Sequence, residues 1–366
     1  MACTSSEQPE RYNFASGPAM LPEEVLEQIR EELPNWRNTG SSVLEQPFTS
    51  TAFKQLMAET EADLRALLTI PDNYRVLFMQ GGASAQFGLL PLNLLRPGQS
   101  ADYLESGHWA RKAINEARRH SPVNVIASGA GQAFVALPAI DHWRLDSDAG
   151  YCHITSNETA NGLQLQEFPE LSVPLVADMT SDLLTRPLPI ERFGLIYTST
   201  QKNLGVAGLC MVIIRDDLLR APPAGLPAAF SYALQAEQQS RFNTPPTFAL
   251  YVTGLMLRWV AHKGGVAAMA RVAQQRSELL YRCIEASELF RCQQSPADRS
   301  PINVCFQLSD PGLTETFLSH AEQNGLANLR GHAATGGIRA SLYNAMPLTG
   351  VTHLVKFMTH FERLHG

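Results

Sequence analysis

The sequence predicts an α/β protein, in which a mainly parallel sheet flanked by helices is followed by a smaller α/β domain. Three observations predict it. Apolar runs of strand length alternate with helix-spaced apolar patterns through the first two thirds of the chain. Glycine-bearing turns, small hydroxylated residues and acids collect just after those runs, where a parallel sheet gathers its functional groups. The apolar content then thins at His262–Lys263–Gly264–Gly265, and the alternation begins again. A boundary is expected there, giving an N-terminal arm over 1–22, a large domain over 23–262 and a small domain over 263–366.

Composition bounds the reading. A chain of 366 residues, 45% hydrophobic and 17% charged, can bury a large core and has the balance of a soluble globular protein. A net charge of -6 argues against nucleic acid as a partner. No uninterrupted apolar stretch reaches the ~18 residues of a membrane span. Residues 1–11 are polar and lack the apolar core of an export signal, so a cytoplasmic protein is expected. The six cysteines (Cys3, Cys152, Cys210, Cys283, Cys292, Cys305) form no CxxC pair, and Cys210 and Cys305 lie in strand-like runs. Buried thiols in a reducing compartment are expected, with no metal site, because no zinc-ligand spacing occurs.

The elements follow in order. Residues 1–14 read as a loose arm. Gly17-Pro18 then turns the chain toward a helix at Pro22, whose positive end Glu23, Glu24 and Glu27 complement. Phe53, Leu56, Met57, Leu64 and Leu67 place a second helix over 52–68. Residues 74–79 read as a buried strand, broken by Gln80–Gly81–Gly82–Ala83–Ser84 and followed by a helical run over 87–95. Strand, glycine turn and helix start together aim backbone N–H groups at an anion, although the glycine spacing fits neither a dinucleotide nor a nucleoside-triphosphate loop. Strands at 101–104, 123–126, 151–154 and 174–181 continue the alternation, with a helix over 109–119. The small domain should contain helices over 266–287 and 313–324, strands at 302–306 and 338–342, and a final helix to 363.

The chemistry centres on Lys202. It sits between the apolar runs at 193–196 and 209–214, beside small and hydroxylated neighbours. A buried lysine loses solvation of its charged form, so its pKa falls and its amine becomes nucleophilic. Pyridoxal-phosphate chemistry needs such a lysine, a carboxylate for the pyridine nitrogen, an aromatic ring to stack on it and neutral donors for the phosphate. Lys202, Asp178, Trp109 and the Ser84 turn could supply that set. Plain alternatives stand beside each: Asp178 capping a turn, Trp109 packing a helix start, Thr159 forming a turn.

At these residues the sequence closely resembles the phosphoserine aminotransferase family, within the class V, fold-type I pyridoxal-phosphate enzymes. The resemblance spans residues 12–366 and is carried by NFASGPAMLP, VLFMQGGASAQF, SGHWA, SNETANG, VADMTS, TSTQKNLG, FNTPPTF and GGIRASLYNAMPL. It implies pyridoxal 5'-phosphate in the large domain and an EC 2.6.1 type transaminase acting on a small amino acid and a 2-oxo acid. Lys202 resembles the Schiff-base lysine that also moves the substrate Cα proton, and Asp178 the partner of the pyridine nitrogen. Trp109 is similar to the stacking tryptophan and Thr159 to the donor to the phenolic oxygen. Ala83, Ser84 and Gln201 look like the phosphate cradle. Asn243 and Thr244 match residues reaching the phosphate from a neighbouring subunit, which implies a homodimer with shared sites. Arg339 matches the clamp on the substrate α-carboxylate, where a planar fork suits the carboxylate. Ser16 is placed with the substrate-binding positions.

One departure stands out. Where the family has His-Arg-Gly-Lys after its SVLE-like stretch, this sequence has Phe48–Thr49–Ser50–Thr51, and Gly-His-Arg becomes Gly331–His332–Ala333. Of the groups that hold the substrate's side-chain phosphate, only His332 remains. Each lost charged hydrogen bond costs about 1.5–3 kcal/mol. A transaminase preferring a neutral or apolar side chain is therefore expected. The alternatives are a phosphoserine aminotransferase of serine biosynthesis whose clamp Arg330 compensates, and a pyridoxal-phosphate lyase or decarboxylase. A catalytically idle dimeric protein is disfavoured by the presence of Lys202, Asp178 and Arg339 together.

Overall fold

A computed structural model describes residues 11–221 and 225–366; Cys3 lies outside them. Seven strands make the central sheet: Tyr74–Gln80 (β1), Ala101–Glu105 (β2), Val123–Ser128 (β3), Cys152–Thr155 (β4), Leu175–Asp178 (β5), Phe193–Ser199 (β6) and Leu209–Arg215 (β7). Their spatial order is β1-β7-β6-β5-β4-β2-β3. β7 runs antiparallel to both neighbours, and the remaining pairs are parallel. The expected mainly parallel sheet is present, with β7 as its exception. That strand turns back directly after the lysine loop, so a short turn rather than a crossover helix connects it to β6.

Alternation along each strand feeds two cores. Val76, Phe78, Met211 and Ile213 face one side with α2 (Thr51–Leu68) and α6 (Thr247–His262), which follow α1 (Glu23–Glu32) and α5 (Tyr232–Glu237) in the chain. Leu77, Met79, Cys210 and Val212 face the other with α3 (Ala83–Leu94) and α4 (His108–Ala117). A sheet buried on both faces has no polar-out alternation, which is why its strands read as continuous apolar runs. The helix after β1 starts at Ala83, earlier than the apolar pattern indicates, because Gly82 leaves the strand in extended conformation and the helix begins at once.

A third core belongs to the C-terminal part. A three-stranded antiparallel sheet, Phe290–Arg291 (β8), Asn303–Leu308 (β9) and Ile338–Ser341 (β10), packs with α7 (Gly265–Glu285), α8 (Thr314–Gln323) and α9 (Leu348–His365). Leu280, Phe306, Phe317, Ile338 and Phe361 are at its centre. Two features differ from the sequence reading. Tyr12 and Phe14 belong to this third core, and Tyr12 and Asn13 pair in parallel with Leu326 and Ala327, so the described part of the arm is anchored. Val266 and Met269 of α7 pack into the first core, so that helix ties both parts together beyond the expected boundary. Among the described residues no helix is long and apolar enough to cross a membrane.

Candidate active site

Lys202 lies in the turn between β6 and β7, and that turn is tied from several directions. Thr200 N–H donates to Leu209 O at 3.1 Å and Leu204 N–H to Thr200 O at 3.2 Å. Asn203 Nδ2 donates to Ser181 O at 2.7 Å, and Asn203 Oδ1 accepts Asn344 N–H at 3.0 Å, linking the turn to the C-terminal part. Ala19 N–H donates to Gln201 O at 2.9 Å, so the segment after Gly17 closes over the same turn. The Lys202 side chain is half-buried and lines a cavity of about 230 Å³ with Ser16, Ala83, Ser84, Trp109, Thr159, Asp178 and Gln201. Burial lowers its pKa to about 8, even though Asp178 opposes the shift; Arg339 adds to it.

Asp178 is the last residue of β5 and is buried. Its Oδ1 accepts Thr180 N–H at 2.9 Å. Desolvation pushes its pKa up, while the Thr180 bonds and the Lys202 charge pull the other way. The carboxylate thus faces the cavity with a cation as its main charged neighbour, ready for a protonated ring nitrogen.

Trp109 is positioned by residues that follow β4. Its Nε1 donates to Thr159 Oγ1 at 2.7 Å. Because that hydroxyl oxygen accepts from the indole, its own proton is free to point into the cavity. Glu158 is buried and accepts the N–H groups of Trp109 and Ala110 at 2.9 and 2.8 Å, capping α4 from another segment. Burial pushes its pKa up to about 7. A Cβ on Gly107 would meet the Glu158 Cδ at 2.6 Å, so this cap requires glycine there. Nothing in composition or periodicity points to Glu158, Thr180 or Asn203; the motifs SNETANG, VADMTS and TSTQKNLG contain them without showing what they hold.

At the opposite end, no side chain caps α3. Gly82 lies so close to β6 that a Cβ would come within 3.2 Å of Ser199 Oγ, which itself hydrogen-bonds Gln201 Oε1. Ala83, Ser84 and Gln201 thereby surround an open helix N-terminus, suited to a phosphate. Arg339, on β10, is 9% exposed; its Nη1 donates to Thr159 O at 3.2 Å and its Nε is buried without a protein partner. Thr155 Oγ1 lines the cavity and is likewise unpartnered. Unsatisfied donors around a carboxylate, a lysine and an open helix end fit pyridoxal phosphate and an amino-acid carboxylate.

The remaining positions lie elsewhere. His332 does not line the cavity; its ring centroid is 6.1 Å from that of Trp109, which does. Phe48 and Thr49 do not line the cavity of their own chain: Phe48 packs against the first core and Thr49 is exposed. Phe48 lies away from the cavity because the turn carrying it leads directly into α2, which packs in the first core. Asn243 and Thr244 also stand apart, bonded through Gln235 Nε2 and Gln80 Nε2. Arg330 is exposed, and its two terminal nitrogens donate to Glu315 at 2.6 Å each.

Comparison with known proteins identifies the family to which this fold and sequence belong. The profile of the aminotransferase class-V family matches residues 11–354. The phosphoserine aminotransferase of Nitrosomonas europaea is 48% identical over 97% of this chain and 99% of its own length. Among solved structures, phosphoserine aminotransferase from Bacillus circulans subsp. alkalophilus superposes with a TM-score of 0.96 at 40% identity, covering 98% of this chain and 99% of that one. The enzyme from Trichomonas vaginalis, solved with PLP bound, gives 0.92 at 37% identity over 96% and 100% of the two chains. Along nearly its whole length, then, the chain belongs to the class-V aminotransferases, and within them to the phosphoserine aminotransferase family.

Proposed function

We propose that this pyridoxal-phosphate aminotransferase prefers an amino acid and 2-oxo acid with a neutral side chain. The observation that carries the reading is the fate of the distal cations: position 333 is an alanine, and the adjacent Arg330 is committed to Glu315. A phosphate dianion brought to this end would meet few charge-assisted donors, and its desolvation would go uncompensated.

The cofactor supplies an electron sink for the charge left at the substrate Cα. Around it, the chain's own groups have defined tasks. Lys202 would hold the cofactor through its amine and would remove and return the substrate Cα proton, a task suited to an amine whose pKa burial lowers to about 8. Asp178 would keep the ring nitrogen protonated, Thr159 would donate its hydroxyl proton to the phenolic oxygen, and Trp109 would offer its indole for stacking. Arg339 clamps the α-carboxylate and fixes the Cα–H bond toward Lys202. Asn243, Thr244, Phe48 and Thr49 reach a site only from a second copy, so the working unit is a homodimer with shared sites.

The test compares half-reaction rates of the holoenzyme with phosphoserine, glutamate and a panel of neutral amino acids, read from the absorbance change as the cofactor gains an amino group. Efficient turnover of phosphoserine would overturn the proposal. Phe48→His, Thr49→Arg and Ala333→Arg introduced together should raise the phosphoserine rate.

A further inference from the structure

Three segments that wall the cavity around Lys202 converge on residues 343–344, just past the end of β10. Asn344 N–H donates to Asn203 Oδ1 at 3.0 Å and so holds the turn that carries Lys202. Asn344 Nδ2 donates to Leu184 O at 3.0 Å, in the segment that leaves Asp178. Leu184 has a φ of 66°, a left-handed conformation that a bulky residue keeps only where its surroundings enforce it. The Tyr343 hydroxyl donates to Ser16 O at 2.8 Å, fixing the segment that closes over the cavity. Residues 343–344 thus set the spacing between the lysine turn, the Asp178 segment and the N-terminal wall.

Arg276, on α7, holds residues 343–346 in turn. Its side chain is fully buried. Nη1 donates to Tyr343 O at 2.8 Å, to Asn344 O at 3.3 Å and to Met346 O. Nε reaches the Val272 carbonyl of its own helix at 3.3 Å, and Nη2 has no protein partner. No acid pairs with this guanidinium among the described residues, and burial lowers its pKa to about 10. A buried cation without a counterion is expensive, and apolar side chains of similar volume often replace buried charges without loss of stability. Its charge is therefore a poor device for stability alone. What the group offers is geometry, since one planar fork draws three carbonyls of a turn to a point.

We propose that Arg276 is a positioning residue for the aminotransferase reaction: by gathering the carbonyls of residues 343–346 it keeps the Lys202 amine buried and aimed at the substrate Cα. The proposal rests on Lys202 being the reactive amine. Arg276 does not line the cavity, so its influence passes through Asn344 and Asn203. Arg339 is held separately, because its strand pairs with β9 and its N–H donates to Leu329 O at 2.8 Å. Loss of Arg276 should therefore disturb the proton transfer more than the grip on the substrate.

The test begins with Arg276→Met, which keeps most of the side chain's length and removes the fork. In the cofactor-free protein, the inflection of Lys202 acetylation with pH should move from about 8 to about 9 or above, because a loosened turn admits water to the amine. In the holoenzyme, the limiting single-turnover rate with glutamate should fall about tenfold, while the apparent dissociation constant changes by no more than about twofold. Leu280→Ala, on the same helix, lowers the melting temperature through the third core and should move neither readout. Should Arg276→Met fail to fold, Arg276→Lys carries the test: it keeps a charge without the fork and should shift both readouts the same way by less. Combined with Asn203→Ala, which cuts the link to the lysine turn, it should add nothing. Unchanged readouts in the Arg276 variants, equal losses in Leu280→Ala, or additive losses in the double variant overturn the proposal. Turnover of Lys202→Ala decides the role of the lysine separately, so the two can fail independently.

Discussion

The acidity of Lys202 offers the sharpest check on the site's electrostatics. Removing Asp178 should change that acidity and the turnover in opposite senses. With a pKa of about 8, roughly one Lys202 in ten is neutral at pH 7; at the ordinary 10.5 the fraction would be about 300-fold smaller. Desolvation is the main cause of the depression, and the Asp178 charge is the leading influence opposing it. Asp178→Asn removes that opposition, so the pKa of Lys202 in the cofactor-free protein should fall further and its amine should become more reactive. Turnover should drop on the order of 100-fold, because the ring nitrogen loses the charge that holds its proton. Acetylation of the cofactor-free protein across a pH series, read at the Lys202 peptide by mass spectrometry, reports the first effect without needing the cofactor. Arg339→Gln serves as the opposite control: loss of its positive charge should raise the inflection. An inflection near 10.5 in the unsubstituted protein, or one that rises in Asp178→Asn, would refute this account.

Other expectations follow from the same geometry. Thr159→Val leaves the Trp109 Nε1–H without its 2.7 Å acceptor; cofactor affinity should fall about tenfold, measured by dialysis and reconstitution. Gly107→Ala drives a methyl into Glu158, with a cost of about 1–3 kcal/mol in thermal unfolding and a loosened Trp109 fluorescence environment. Arg330→Ala should leave the Michaelis constants of all substrates unchanged in steady-state assays, since its guanidinium is bound to Glu315 at the surface. Should phosphoserine binding collapse in that variant, the assignment of the distal end would be wrong.

Much of the architecture could be read from residues because double-sided burial and strand-end chemistry leave strong local marks. Val76 to Met79 and Leu209 to Ile214 are apolar because both sheet faces are covered, and Asp178 and Lys202 stand out because charge is rare at such ends. The antiparallel course of β7 was less visible, since a strand's direction depends on whether the preceding turn is short, and residues 200–208 carry no hairpin signature. The role of Glu158 was hidden for another reason: it caps a helix from which it is separated by some fifty positions in sequence, so no local pattern contains both partners. Phe48 marks the limit of aligning residues to roles. Its position matches a substrate contact, yet within one chain it packs into the core beside α2.

That division has a physical consequence for how such a site can change. The cofactor end is a closed network in which each group depends on another: Thr159 on Trp109, Trp109 on Glu158, the Lys202 turn on Ser181 and Asn344 through Asn203. Replacing any member strands a buried donor or charge, at a cost of about 1–3 kcal/mol each. Away from that network, Thr49 and Ala333 are exposed, and Arg330 and Lys112 are surface cations. Substitutions there should cost little folding stability, whereas those around Lys202 should cost much more, so sequence change is tolerated at the exposed positions and resisted in the network.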